Sequence, residues 1–312
     1  MLDVRESLAH KVAWISLVSN IILMLGKILI GWYGNSDSVF ADGIHSAADV
    51  FASVIVLIVI KIASKPADAE HPYGHGKAEV IVSSIVGMIL LVVALYIAYE
   101  ALTGFLHPVS APSILALWVA LISYVSKLFL YRYSFKAADE HNSKAIEAIA
   151  LDHKADIVAS LAAAIGVILS IIGGAYGWDF LLYGDKLASI FVAYLIFRIS
   201  KEMITESYDI LLERSIDGET LKGIESIILT FKDVKRIDKI RAREQGHYIL
   251  VDARISLFHD KTIKEGHDIT KAIRDEIMKQ YSVIKEVLIH VNPYYPEDSL
   301  QDDEKNKNNN QL

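Results

Sequence analysis

The chain of 312 residues contains no cysteine. That excludes disulfides and thiolate metal sites, so any metal must be held by histidine, carboxylate or backbone oxygen. A basic excess is missing too: 31 Lys and Arg against 38 Asp and Glu leave a net charge of −7. A nucleic-acid partner wants a basic face, so none is expected. No secretory leader is expected either, because Asp3, Arg5, Glu6 and His10 precede the first apolar run and no small-residue cleavage site follows closely.

What is abundant is apolar sequence. It makes up 53% of the chain and is concentrated in the first two thirds. A helix needs about 20 mostly apolar residues to cross hydrocarbon. Six such spans are expected: Val12 to Tyr33, Ser38 to Ile62, Ala78 to Leu106, Ser113 to Tyr131, Ala145 to Gly173-Gly174, and Tyr183 to Ile199 with a helical extension towards Tyr208. Lys61, Lys65 and Lys77 lie between spans two and three, and Arg132, Lys136 and Lys144 between four and five. Arg198 and Lys201 follow span six, while the opposite connections carry no Lys or Arg. Positive residues stay inside, so a multi-pass cell-membrane protein with both termini in the cytoplasm is expected.

From about Ser215 the pattern turns to that of a soluble domain. Leu221, Ile224, Ile227, Ile228 and Phe231 recur at helical spacing, and Val234 to Arg243 and Tyr248 to Phe258 read as strands. A helix over Ile263 to Tyr281 and a strand over Ile284 to Val291 follow. Helix, strand, strand, helix, strand implies a small α+β domain with an open-faced sheet. The expected division is a transmembrane domain over 1–210, a cytoplasmic domain over 211–296 and a disordered tail over 297–312.

Ionisable groups inside a span cost about 2.5–3.5 kcal/mol each on insertion scales, so they point to function. Asp42, His45 and Asp49 in the second span are spaced i, i+3, i+7 and share a helical face, with no basic residue near them in that span to pair with them. In the fifth span Asp152 and Asp156 share a face, whereas His153 points about 100° away from Asp152. Two ligand sets follow, both with His45, Asp49 and Asp156: one completed by Asp152, the other by His153. Spacing favours Asp152. One imidazole and three carboxylates suffice for a tetrahedral divalent metal. No His-Glu-x-x-His occurs and four ligands leave no open position, which argues against a membrane metalloenzyme.

The loop Asp68-Ala-Glu-His71-Pro-Tyr-Gly-His75-Gly-Lys77 holds three further possible ligands within a Pro- and Gly-containing turn. His247, His259, His267 and His290, with Asp238 and Asp252, are scattered through the last domain. On spacing alone the loop is as compatible with solvated side chains as with metal, whereas scattered histidines in a soluble domain are usually structural or exposed.

Taken together, Ala41-Asp-Gly-Ile-His45-Ser-Ala-Ala-Asp49, His71-Pro-Tyr-Gly-His75-Gly-Lys-Ala-Glu79 and Asp152-His-Lys-Ala-Asp156 resemble the cation diffusion facilitator family of proton-coupled metal exporters. The resemblance implies a homodimer with six transmembrane helices per protomer and a cytoplasmic ferredoxin-like domain, embedded in the lipid bilayer and exchanging metal for protons. It also implies a transport site of His45, Asp49, Asp152 and Asp156, a loop site of Asp68, His71 and His75, and no resident cofactor. In the C-terminal domain His267 and His290 match a family metal site. Asp238 stands there in place of a histidine, Arg254 replaces another and Asn292 replaces an aspartate. A charge interlock between protomers maps onto Lys77 and Glu213. Zinc members commonly carry histidine in the fifth span, while manganese members carry Asp-x-x-x-Asp there with Asn or Asp in the second. This chain mixes the two. The expected cargo is Zn²⁺, with Mn²⁺ or Fe²⁺ as the alternative, and a metal-gated channel or a membrane metal sensor as the alternative class.

Overall fold

The computed structural model describes residues 2–63, 65–141, 144–295 and 297. Apart from Glu297, the expected tail lies outside the described residues. Seven helices come first: α1 (Leu2–Tyr33), α2 (Asp37–Ala63), α3 (Lys77–Thr103, closed by a 3₁₀ turn Gly104–Leu106), α4 (Ile114–His141), α5 (Lys144–Tyr176), the single turn α6 (Asp179–Leu182) and α7 (Gly184–Leu211). All but α6 have 27 residues or more, about 40 Å at 1.5 Å per residue and enough for a 30 Å hydrocarbon layer. The expected fourth span stops at Tyr131, but α4 runs on to His141. Its last turns are polar, and a count of apolar residues misses a helix that continues past the hydrocarbon.

The helices are apolar outside, and inside they set a few ionisable and hydroxyl groups among small apolar residues. Trp14, Val18, Ile22, Leu25, Leu29 and Trp32 form an exposed stripe along α1, and Ile81, Ile85, Val92, Tyr99 and Leu102 do the same on α3. Such stripes suit lipid, whereas a water-facing protein would bury them. The buried side is built from small residues: Ala116 and Ala120 of α4 pack against Ala163, Ala164 and Val167 of α5. Small side chains let helix backbones approach closely, which is how helices associate without a hydrophobic drive. Between α1 and α2 the approach is closer still, since a Cβ on Gly43 would sit 2.9 Å from the backbone nitrogen of Ile28.

The chain forms two compact units, 1–60 with 82–205, and 61–81 with 206 onwards. The segment 61–81, expected with the first domain, thus groups with the second unit. That unit contains α8 (Gly218–Thr230), β1 (Val234–Glu244), β2 (Ile249–Phe258), α9 (Ile263–Gln280) and β3 (Ile284–Tyr294). The order matches the reading from hydrophobic spacing. Asp217 caps α8 by accepting from the Glu219 and Thr220 amides, and Thr262 with Glu265 forms a capping box on α9. The sheet order is β1-β2-β3, with β1 and β2 antiparallel and β2 and β3 parallel. The parallel step needs a crossover, and α9 supplies it. Ile224 and Ile228 of α8 and Ile273 and Ile277 of α9 pack on Val251, Ala253, Ile255 and Leu257 of β2. The opposite sheet face stays open and bears Lys239, Arg254 and His290 in one row.

Candidate functional site

The α2 helix brings His45 and Asp49 one turn apart, and α5 brings Asp156 against them. One donor atom from each of the three lies within 4.8 Å of the other two. His45 Nε2 is 3.4 Å from Asp156 Oδ1, and both side chains are almost fully buried. His45 Nδ1 is buried without a hydrogen-bond partner among the described residues. Buried polar atoms rarely stay unsatisfied, so an imidazole with an unpartnered nitrogen, grouped with two carboxylates, fits a cation ligand. One imidazole and two carboxylates make a hard, oxygen-rich donor set suited to Zn²⁺, Mn²⁺ or Fe²⁺.

This group differs from the set of four expected from spacing. Asp152 is exposed and lies outside it, while His153 is buried, with Nε2 2.9 Å from Ser16 Oγ and Nδ1 3.9 Å from Asp156 Oδ2. The packing of Ala159, Ala163 and Val167 sets the rotation of α5, and the buried stripe runs back through Ser160 and Asp156 to His153. A face that admits both Asp152 and Asp156 by spacing is thus tilted by the contact with α4.

Two lysines absent from the sequence argument complete the interior. Lys127 of α4 is fully buried and donates to Asp156 Oδ2 at 2.5 Å and to Asn20 Oδ1 at 2.7 Å. Lys27 of α1, equally buried, lies 2.8 Å from Asp42 Oδ2 and donates to Ser46 and Ser160 at 3.0 and 3.2 Å. Asp42 is therefore neutralised by a lysine from another helix and does not join the His45 group. The missed signal was a lone lysine inside each of two apolar spans, which is costly unless it is paired.

A third buried carboxylate, Asp185 of α7, accepts from Ser36 Oγ at 2.7 Å, Ser38 Oγ at 2.5 Å and the Asp37 amide at 2.7 Å. It caps the start of α2 from across the bundle.

In the second unit Asp68, His71 and His75 also converge, each offering an atom within 4.8 Å of the others. Asp68 Oδ2 is 3.4 Å from His75 Nε2, and Oδ1 is 3.6 Å from His71 Nδ1. The backbone N–H of His71, helped by that of Glu70, holds the Asp68 carboxyl below its ordinary range against mild desolvation. The loop is pinned by Tyr248, whose hydroxyl donates to the Tyr73 carbonyl at 2.5 Å, and by Gly76, where a Cβ would meet the Gln245 carbonyl oxygen at 1.9 Å.

The C-terminal candidates do not gather. Asp238 accepts from Arg236, Ser256 and Asn292, and His290 Nε2 lies 3.1 Å from Asn292 Oδ1. His267 sits on α9 beside a separate cavity, and among the described residues these three form no ligand group. Lys77 Nζ stands 3.4 Å from Glu213 Oε1 within one chain, with Arg243 Nη1 3.7 Å from the other carboxylate oxygen.

Residues 13–212 match the family model described as the cation efflux transmembrane domain, and residues 216–294 match that of the cation efflux protein cytoplasmic domain. The chain is 58% identical over 297 residues to the manganese efflux system protein MneP of Bacillus subtilis, covering 95% of this chain and 100% of that one. It is 32% identical over 292 residues to the magnetosome protein MamB of Paramagnetospirillum magneticum, covering 93% and 95%. A second Bacillus subtilis protein, the manganese efflux system protein MneS, is 31% identical over 282 residues, covering 90% and 94%.

Proposed function

The chain belongs to the cation efflux family, the cation diffusion facilitators, and on that footing we propose that it exports Mn²⁺ from the cytoplasm. It is a membrane transporter of metal cations and not an enzyme. The observation that carries manganese over the zinc expected from sequence is the 58% identity, along 95% of the chain, to a protein named for manganese efflux. The donor set supports it: a single nitrogen among carboxylates, with no thiolate, suits a hard cation at least as well as Zn²⁺.

The cation is proposed to bind His45, Asp49 and Asp156. Asp152, exposed one turn away on α5, supplies the carboxylate that an ion from the cytoplasm meets first. Ligands must shed protons to coordinate, so binding releases protons and protons arriving from outside favour release. An imidazole suits that exchange, with an ordinary pKa of about 6.5. Alternating access carries the site from one side to the other in a homodimer whose termini face the cytoplasm. Asp68, His71 and His75 form a second, cytoplasmic cation site. The C-terminal trio of Asp238, His267 and His290 is left out, because Asp238 and His290 are tied to Asn292.

The test is metal content in a manganese-sensitised bacterial host. Expression of the wild-type chain is expected to lower cellular Mn and relieve manganese toxicity, and Asp49→Ala to do neither. A fall in cellular Zn with Mn unchanged would return the cargo to zinc.

A further inference from the structure

The two oxygens of Asp156 face different groups. Its Oδ1 faces His45 at 3.4 Å, and its Oδ2 accepts from the Lys127 ammonium at 2.5 Å, with His153 Nδ1 also 3.9 Å from Oδ2. We propose that Lys127 is a tethered cation that competes with the transported metal for Asp156 and thereby sets how tightly the site holds its cargo. This rests on the reading of His45, Asp49 and Asp156 as the transport site.

A buried carboxylate is paired with a counter-ion or bound to metal. Asp42 takes the first course with Lys27, and among the described residues no group of metal ligands includes it. Asp156 sits on a buried ammonium and among metal-ligand atoms at once. A cation that took both oxygens of Asp156 would have to displace Lys127, while one that took Oδ1 alone would face an adjacent positive charge. Either way the lysine weakens the metal's hold. With two carboxylates and one ammonium the group carries a net charge of −1, and a divalent ion turns that to +1. Without the lysine the same ion would be exactly neutralised.

A carrier needs such weakening. Binding must be strong enough to load and weak enough to release. Lysine is suited to the part, being a compact charge on a flexible four-carbon stem that can leave one oxygen and return to it. Asn20 Oδ1, 2.7 Å from the ammonium, offers the alternative acceptor that keeps Lys127 satisfied when it gives up Asp156.

The proposal separates from a scaffolding role by sign. A lysine that merely holds Asp156 in place would, when removed, weaken metal binding; a competitor, when removed, strengthens it. The experiment is calorimetric titration of Mn²⁺ into the full-length chain in detergent. Asp68, His71 and His75 are replaced by Ala throughout, so that one site is read. Lys127→Met is expected to tighten the Kd by roughly tenfold. In proteoliposomes it is expected to lower both KM and kcat for Mn²⁺, because the ion then leaves slowly. Lys127→Arg, which keeps the charge, is expected to stay near the wild-type Kd. If Met disturbs folding, Lys127→Gln carries the same expectation, because it retains an N–H donor for Asp156. A folded Met or Gln variant that binds Mn²⁺ as the parent does, or more weakly, overturns the proposal alone. A parent chain that binds no Mn²⁺ overturns the functional reading and this proposal with it.

Discussion

Lys27 and Asp42 form a 2.8 Å ion pair between α1 and α2, with both side chains almost wholly shielded. Ser160 donates to Asp42 Oδ2 at 2.8 Å, and Lys27 donates to Ser46 and Ser160, so the pair sits in a satisfied hydrogen-bond network. Gly43, next in sequence to Asp42, leaves no room for a Cβ against α1, and that close approach brings the lysine to the carboxylate. A buried pair of this kind contributes little by itself, but breaking it leaves a buried ammonium with hydroxyl partners and no counter-charge.

Asp42→Asn should therefore destabilise the chain by about 3–5 kcal/mol, and the double variant Lys27→Met, Asp42→Asn should recover most of that loss. Thermal unfolding of the purified chain in detergent checks it. Equal loss in the single and the double variant would mean that the pair is not the source of the effect.

For the proposed transport site, His45→Ala and Asp49→Ala should each abolish saturable Mn²⁺ flux. Their Mn²⁺ binding should weaken by more than the roughly 10–100-fold that a lost supporting hydrogen bond costs. Asp152→Ala should cost less, because Asp152 lies outside the buried group. Titration of the three variants side by side decides between the group of three and the set of four: an Asp152 loss as large as that of Asp49 would restore the fourth ligand.

How much of this was legible in the sequence varies by element. The helices, the order of the C-terminal domain and the pair His45 and Asp49 could all be read from period and spacing. In these segments one physical demand, burial in lipid or against a sheet, sets the pattern. The choice between Asp152 and His153 could not be read. Three and four residues are nearly equal steps on a helix, and the rotation of α5 is set by contacts of Ala159, Ala163 and Val167 with neighbours that are distant in sequence. Lys27 and Lys127 were visible as isolated charges, but their partners lie on other helices. Nor did the scattered His267 and His290 show that Asn292 ties His290 to Asp238, or that among the described residues His267 joins no ligand group with them.

At the loop proposed as a second cation site, Gly76→Ala should weaken Mn²⁺ binding by Asp68, His71 and His75, because the added Cβ cannot stay 1.9 Å from the Gln245 carbonyl oxygen. Overpacking of this kind costs about 1–3 kcal/mol and here moves the turn that carries the ligands. The check is titration of Mn²⁺ into an Asp49→Ala background, where the loop is the site that remains. Unchanged binding would separate the ligands from the turn.

In the C-terminal domain, burial pushes the Asp238 carboxyl up, but hydrogen bonds from Asn292, Ser256 and Arg236 outweigh it and hold it below its ordinary range. A depressed carboxyl adds stability above its unfolded pKa of about 3.9, and that stability is lost as pH falls through the lower folded value. Exposure limits the contribution to under about 1 kcal/mol. Asp238→Asn should therefore be less stable than wild type at pH 7, with the gap closing as pH falls below about 4. Hydrogen exchange of the β1 and β3 peptides from pH 7 down to pH 3 would measure it, and a gap that widens with acid would contradict the assignment.

The most direct measurement is Mn²⁺ and Zn²⁺ flux into proteoliposomes holding the full-length chain, with a pH gradient imposed and Asp49→Ala as the blank. Saturable Mn²⁺ flux that rises with the gradient, exceeds Zn²⁺ flux and vanishes in Asp49→Ala is the predicted result. Flux of either ion that persists in Asp49→Ala, or Zn²⁺ carried in preference to Mn²⁺, would contradict it.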